Sequence, residues 1–219
     1  ADTARIIFGI YIVLNVLCTL LLRFGGLSWF DSVCHAFGTI ATGGFSTRTD
    51  SVAAFNSPYV EWVIICFMFL SGVSFVLHYR AFKGTYTAYF KSDEFRLFAV
   101  LCVVVSTFAA FLIKSQMGLS FSNAFRTSAF QTISLFSTTG FVTADYDVWP
   151  NVIRLMFLIL MIFGACAGST SGAVKSVRVV VAWKIIMHQL RQIMRPARVA
   201  SIKLDGKPIA IDLANKAAT

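Results

Sequence analysis

Charge is what this sequence has least of: 13% of its 219 residues are Asp, Glu, Lys or Arg, where a soluble domain carries about 25%. Apolar residues fill 57% of the chain and gather in long runs, which points to burial in a bilayer. The formal net charge of +9 fits a membrane protein with positive cytoplasmic loops. A nucleic-acid binder would need a basic face outside the membrane, and no such motif is present. The five cysteines, Cys18, Cys34, Cys66, Cys102 and Cys166, all sit in apolar segments without a C-x-x-C pair, so they read as small buried apolar residues rather than disulfides or metal ligands. Metal-ligand spacing, a nucleophile elbow and a carboxylate pair are all missing, which argues against an enzyme, and no cofactor is implied. There is no signal-peptide pattern, since the first apolar run starts at Ile6 without an initiator Met and lacks a small-residue cleavage site. The chain reads as an excerpt of a longer protein.

What is present is a repeat. Thr39-Ile40-Ala41-Thr42-Gly43-Gly44-Phe45-Ser46-Thr47 returns as Phe136-Ser137-Thr138-Thr139-Gly140-Phe141-Val142-Thr143, with Thr42, Gly44, Phe45 and Thr47 matched by Thr138, Gly140, Phe141 and Thr143. Each copy follows a short apolar segment and precedes a polar loop, a proline and a long apolar run, so the unit is a duplicated supersecondary structure. Ile6 to Leu22 predicts a first span ended by Gly25-Gly26. Trp29 to Ile40 has helical spacing but only about 12 residues, roughly 18 Å, too short for a hydrocarbon core of about 30 Å. Asp31 and Ser32 suit its start. Pro58 opens a second span, Val60 to Tyr79. Arg80, Lys83, Lys91 and Arg96 then share a connection with Asp93 and Glu94, which the positive-inside rule places in the cytoplasm. The loops after the Thr/Gly motifs then face outward, with Arg48 and Asp50 in one and Asp145 and Asp147 in the other; the last two could attract cations or merely be solvated.

The second unit predicts a span over Leu97 to Ile113 and a short helix over Asn123 to Leu135 with Ser122 or Asn123 as cap. Pro150 opens an apolar helix, Val152 to Phe163, too short to span alone. Gly164-Ala165-Cys166-Ala167-Gly168-Ser169-Thr170-Ser171-Gly172 follows, poor helix material, before a helical pattern resumes at Val174, runs to about Arg195 and stops at Pro196. The break must lie within the membrane, where irregular backbone needs protein or water around it. Ile202 to Ile209 predicts a small hairpin around Asp205-Gly206; the tail from Leu213 to Thr219 is too short to read. Trp29, Trp62, Trp149 and Trp183 lie near span ends as interface anchors do. His35, His78, Glu61 and Arg154 read as packing or interfacial residues.

A cation that sheds water needs converging oxygens, which backbone carbonyls of an extended loop supply when glycine permits unusual φ. Each short helix adds the negative end of its dipole. The chemistry therefore assigns ion binding to Thr42, Gly43, Gly44, Thr138, Thr139 and Gly140, with the ion itself at Thr42, Gly43, Thr138 and Thr139. The broken helix would act as a gate through Gly164, Gly168, Ser169, Thr170, Gly172 and Lys175. A secondary carrier with alternating access at broken helices is the rival reading.

These motifs resemble the Trk/Ktr/HKT superfamily of potassium transporters. Ala41 to Thr47 is similar to a second-repeat filter of the bacterial Trk branch, in its TrkH-type subunit, and Ser137 to Phe141 to the third. The glycine-rich run from Gly164 to Gly172 followed by Lys175 resembles the intramembrane loop of the third repeat; Ser201 to Lys207 resembles the link before the fourth. The resemblance covers essentially the whole chain. It implies an all-α membrane fold, two of four helix–pore-loop–helix repeats around a pseudo-fourfold pore, divided at 1–90, 91–198 and a cytoplasmic link at 199–219. It implies potassium as the transported ion, a multi-pass place in the bacterial inner membrane, a homodimer and a cytosolic nucleotide-binding regulatory ring. Ala165 and Ala173 depart from the pattern, standing where the loop often has more glycine, and imply a stiffer loop.

Overall fold

Apolar sequence from Ile6 onward forms most of the first helix, α1 (Asp2–Phe24), which stops at Gly25-Gly26, the second glycine at φ +92°. The structure, a computed structural model, describes residues 2–194, 202–205 and 207–209. The short helix α2 (Trp29–Ile40) begins one residue after Ser28, whose hydroxyl accepts the Asp31 amide at 3.0 Å and donates to the Asp31 carboxylate at 2.8 Å. The serine thus caps the helix, and the acid meets its positive end. A 3₁₀ turn, Ser51–Phe55, leads to α3 (Pro58–Gly72), with proline in its first turn.

The expected single span from Val60 to Tyr79 is corrected by the structure. The helix ends at Gly72 and restarts as α4 (Phe75–Phe82) after a bend of 97°. Its broken backbone is satisfied from far along the chain: the Cys166 amide donates to the Gly72 carbonyl at 3.0 Å and the Phe75 amide to the Gly168 carbonyl at 3.0 Å. His78 spans the bend, its Nε2 2.9 Å from the Leu70 carbonyl and its Nδ1 2.8 Å from the Tyr89 hydroxyl.

A short helix, α5 (Thr87–Lys91), precedes α6 (Asp93–Met117), which runs longer at both ends than the expected Leu97 to Ile113. Ser92 caps it and the acids Asp93 and Glu94 favour its positive end, while Gly118 at φ +65° stops it. In α7 (Phe121–Phe136) the cap is Ser120, accepting from the Asn123 amide at 3.4 Å, rather than Ser122 or Asn123. Then come α8 (Asn151–Ile162) and α9 (Ser176–Met194). The second starts two residues later than expected, because Val174 pairs with Phe163 in a parallel bridge. Strands β1 (Ile202–Leu204) and β2 (Lys207–Ile209) pair antiparallel, Ile202 opposite Ile209. Pro196, Ser201, Gly206 and the tail from Leu213 to Thr219 lie outside the described residues.

Each short helix lies between its own unit's other helices: α2 against α1 and α3, α7 against α6 and α8, with α3 packed on α7 across the two units. Apolar packing gains little from water exclusion inside lipid, so polar ties between helices carry more of the specificity. Ser128 of α7 donates to the Ser106 carbonyl of α6 at 2.8 Å, and Arg126 of α7 meets Glu61 of α3 at 2.8 Å with both side chains mostly buried. Helices α1 and α6 are long and apolar enough to cross a membrane; the bent pair α3–α4, taken as one, is a third. Phe8, Val13, Val103, Val104, Leu155 and Leu158 point outward. Trp29, Trp62 and Trp183 are exposed, as anchors would be, but Trp149 is buried, its ring 5.8 Å from that of Phe157.

Candidate functional site

The two Thr/Gly loops have the same backbone. Helix α2 ends with the Ala41 amide on the Phe37 carbonyl at 2.9 Å, and α7 ends with the Ser137 amide on the Ile133 carbonyl at 2.8 Å. The next residues, Thr42 and Thr138, stand at φ +52° and +58°. A β-branched residue in that region is a genuine outlier, costing on the order of 1–3 kcal/mol, and here the strain occurs twice at matched positions. Gly43 and Gly44 then donate to the Gly38 carbonyl at 2.9 and 3.2 Å, as Thr139 and Gly140 donate to the Ser134 carbonyl at 2.8 and 3.2 Å. Gly44 and Gly140 close the pattern at φ +65° and +85°. Left-handed backbone therefore stands at the first and third positions of both loops.

The loops also touch. A side chain on Gly44 would overlap the Thr139 carbonyl oxygen, whereas around Gly140 there is open space. Phe141 is buried between units, stacked 5.6 Å from His35 of α2 and pressed on Gly38, while its counterpart Phe45 is 81% exposed. His35 holds the first loop's outer limb, with Nδ1 2.8 Å from the Asp31 carbonyl and Nε2 2.9 Å from the Ser46 hydroxyl. Asp31 extends that hold to the Thr47 hydroxyl and to Arg48, the latter at 3.0 Å. The Ala53 amide donates to the Val142 carbonyl at 3.1 Å, tying the two outer loops. Asp145 accepts the Asp147 amide in a local turn. Glu61 is engaged by Arg126, and Arg154 by Asn151.

The glycine-rich segment between α8 and α9 is an excursion closed at its base. The Gly164 amide donates to the Val174 carbonyl at 2.7 Å, and the Ser176 hydroxyl to the Gly164 carbonyl at 2.7 Å. Its tip docks on both Thr/Gly loops. The Thr170 hydroxyl donates to the Ile40 carbonyl at 2.7 Å, the last residue of α2, and the Thr42 hydroxyl lies 3.1 Å from the Thr170 carbonyl. The Gly172 amide donates to the Thr138 hydroxyl at 2.7 Å. Inside the segment Ser169 donates to the Cys166 carbonyl at 2.6 Å and lies 2.8 Å from the Ser171 hydroxyl, and Lys175 bonds the Ser171 carbonyl. Gly168 serves the α3–α4 bend, as above. The segment thus brings together Thr42, Thr138, Thr170, Gly172 and Lys175, while Gly43, Thr139 and Gly140 make no hydrogen bond to it among the described residues.

Glu94 and the bend at Gly72 belong to this assembly and were not singled out from the sequence. Glu94 accepts the Ala167 amide at 3.2 Å. An acid in a helix's first turn is too common to mark it as special, and a bend satisfied from about 94 residues away leaves no local signal.

The family described as "TrkH: Cation transport protein" matches residues 1–216. The chain is 34% identical over 217 residues to the Trk system potassium uptake protein TrkH of Escherichia coli K12, covering 95% of this chain and 44% of that one. It is 31% identical over 208 residues to the TrkG protein of the same strain, covering 94% and 43%. Among solved structures, the potassium transporter TrkH of Vibrio parahaemolyticus aligns with a TM-score of 0.92 and 31% identity over all of this chain and 47% of that one. The chain therefore spans somewhat less than half the length of these relatives.

Proposed function

The chain belongs to the TrkH family of cation transport proteins, and from that membership we propose that it supplies two of four pore repeats to a potassium uptake subunit. The repeats are residues 1–90 and 91–198, followed by a cytoplasmic link at 199–219. The observation that carries this reading is the pair of strained loops: two β-branched threonines at positive φ, each at the carbonyl end of a helix too short to cross the bilayer. Alternating backbone hand lets successive carbonyls aim to a common side, which is what a dehydrated cation requires. Potassium would sit against the carbonyls of Thr42, Gly43, Thr138 and Thr139, with Gly44 and Gly140 allowing the loop to turn away. Transport is passive flow down the ion's gradient, not catalysis.

The segment from Gly164 to Lys175 is the gate in this reading. Its docking on Thr42 and Thr138 supports a shut state in which the tip lies under both filters. Lys175, bonded to the Ser171 carbonyl, holds the segment's turn and adds positive charge that opposes cations until the segment withdraws. The full subunit is multi-pass in the bacterial inner membrane, works as a homodimer and engages a cytosolic nucleotide-binding regulatory ring.

The test uses the full-length subunit that contains this stretch. Gly140 stands at φ +85°, where any side chain is strained, and within this chain nothing lies beside it, so Gly140→Ser perturbs the loop while leaving the contacts within these two units in place. A side chain there re-aims the carbonyls around it and is expected to lower the potassium-to-sodium permeability ratio. An unchanged ratio with normal folding sinks the assignment.

A further inference from the structure

We propose that Glu94 is the positioning residue that seats the intramembrane segment, reaching it from the cytoplasmic end of α6; this rests on reading that segment as the gate. Three consecutive residues of the segment are anchored. The Cys166 amide and the Gly168 carbonyl are held by backbone groups of the α3–α4 bend, at Gly72 and Phe75. Between them the Ala167 amide is held by the Glu94 carboxylate at 3.2 Å. That middle anchor is a side chain on another helix, and it joins positions 73 residues apart in sequence. The other carboxylate oxygen of Glu94 is buried and has no hydrogen-bond partner among the described residues, so the residue bears a desolvation cost that an ordinary first-turn acid on a helix avoids.

Its seat is itself fixed. The preceding residue, Asp93, accepts from Lys184 of α9 and from the Asp205 amide at 3.0 Å, while the Asp93 amide donates to the Asp205 carboxylate at 2.9 Å. Successive residues on a helix point about 100° apart, so Asp93 turns to the hairpin and α9 while Glu94 turns to the segment. The start of α6 is thereby joined to the segment itself, to the helix that follows it and to the hairpin beyond. A shift of the hairpin or α9 relative to α6 would be felt by the segment through two adjacent side chains.

The experiment measures potassium flux in liposomes carrying the full-length subunit. Glu94→Ala removes the acceptor and is expected to raise basal flux several-fold while leaving the potassium-to-sodium ratio unchanged. Glu94→Asp keeps the charge but shortens the reach, and should raise flux likewise; it carries the test if the alanine variant fails to assemble. Glu94→Gln keeps an oxygen that can accept the Ala167 amide and should return flux most of the way to that of the parent, which a merely charge-based or bulk-packing role would not do. In a background lacking Ala167 to Ser171, Glu94→Ala should add nothing. Parental flux in both Glu94→Ala and Glu94→Asp, with raised flux in the deletion, overturns the role of Glu94 and leaves the gate standing. Unchanged flux in the deletion itself overturns the gate, and this inference with it.

Discussion

Ala173 stands at φ +56° in the segment that leads into α9, where a side chain meets the following carbonyl. Glycine would take that conformation freely, and an alanine there costs about 1 kcal/mol. Ala173→Gly in the full-length subunit should therefore raise the thermal denaturation midpoint while loosening the segment; a lowered midpoint would show that the alanine is accommodated without strain. Sequence alone marks Ala173 as a departure from a glycine-rich pattern but cannot supply the φ that makes the departure costly. The same limit applies to Thr42 and Thr138. Their recurrence is visible in the chain, yet nothing about threonine suggests left-handed backbone. That conformation comes with the C-terminal turn of each short helix, where the Gly43 amide reaches back to the Gly38 carbonyl and the Thr139 amide to the Ser134 carbonyl, and the threonine hydroxyls are then engaged by the distant Thr170 carbonyl and Gly172 amide.

At the scale of elements, the short helices and Thr/Gly loops were legible because their signals are local: length, a capping serine or acid, glycine after the last turn, proline before the next. The bend in α3–α4 was not, because Gly72-Val73-Ser74 lies inside one apolar run and the groups that stabilise the break come from Cys166 and Gly168. Trp149 lies near a span end yet is buried, since proximity to a span end does not say which way a ring faces. The dependence of the bend on the glycine-rich segment has a consequence. Deleting Ala167 to Ser171 removes the groups docked on Thr42 and on the Phe75 amide, and frees the Ile40 carbonyl. If the Thr/Gly loops are the filters proposed above, potassium flux should rise sharply with selectivity kept, since the carbonyls of both loops remain. We also expect a loss of thermal stability, because each buried backbone group left without a partner costs about 1–3 kcal/mol. Higher flux without any loss of stability would mean that the bend finds other partners; equal flux would leave the segment as a kink that lets helices pack.

For the whole molecule the informative feature is an asymmetry between matched residues. Phe141 is 1% exposed because it packs on His35 and Gly38 of the short helix in the preceding unit; Phe45, at the same place in its own loop, is 81% exposed. Gly44 abuts Thr139 in the following loop, while Gly140 has nothing beside it. The second loop thus uses its phenylalanine toward the unit before it, and the first loop its glycine toward the unit after it. If the pore is a ring of four such units, Phe45 must meet a short helix from a preceding unit, and Gly140 a loop from a following one. The TrkH protein of Escherichia coli K12, of which this chain covers 44%, has the length to supply both. In the full-length subunit Phe45 should then behave as a core residue. Phe45→Ala is expected to cost about 3–5 kcal/mol, as burying and then truncating a phenylalanine does, with a drop in denaturation midpoint comparable to that of Phe141→Ala. A residue facing lipid or water would change stability by no more than about 0.5 kcal/mol. Denaturation of the two alanine variants side by side decides it: a silent Phe45→Ala beside a damaging Phe141→Ala would mean that no unit packs against the first loop, and the ring of four would have to be abandoned.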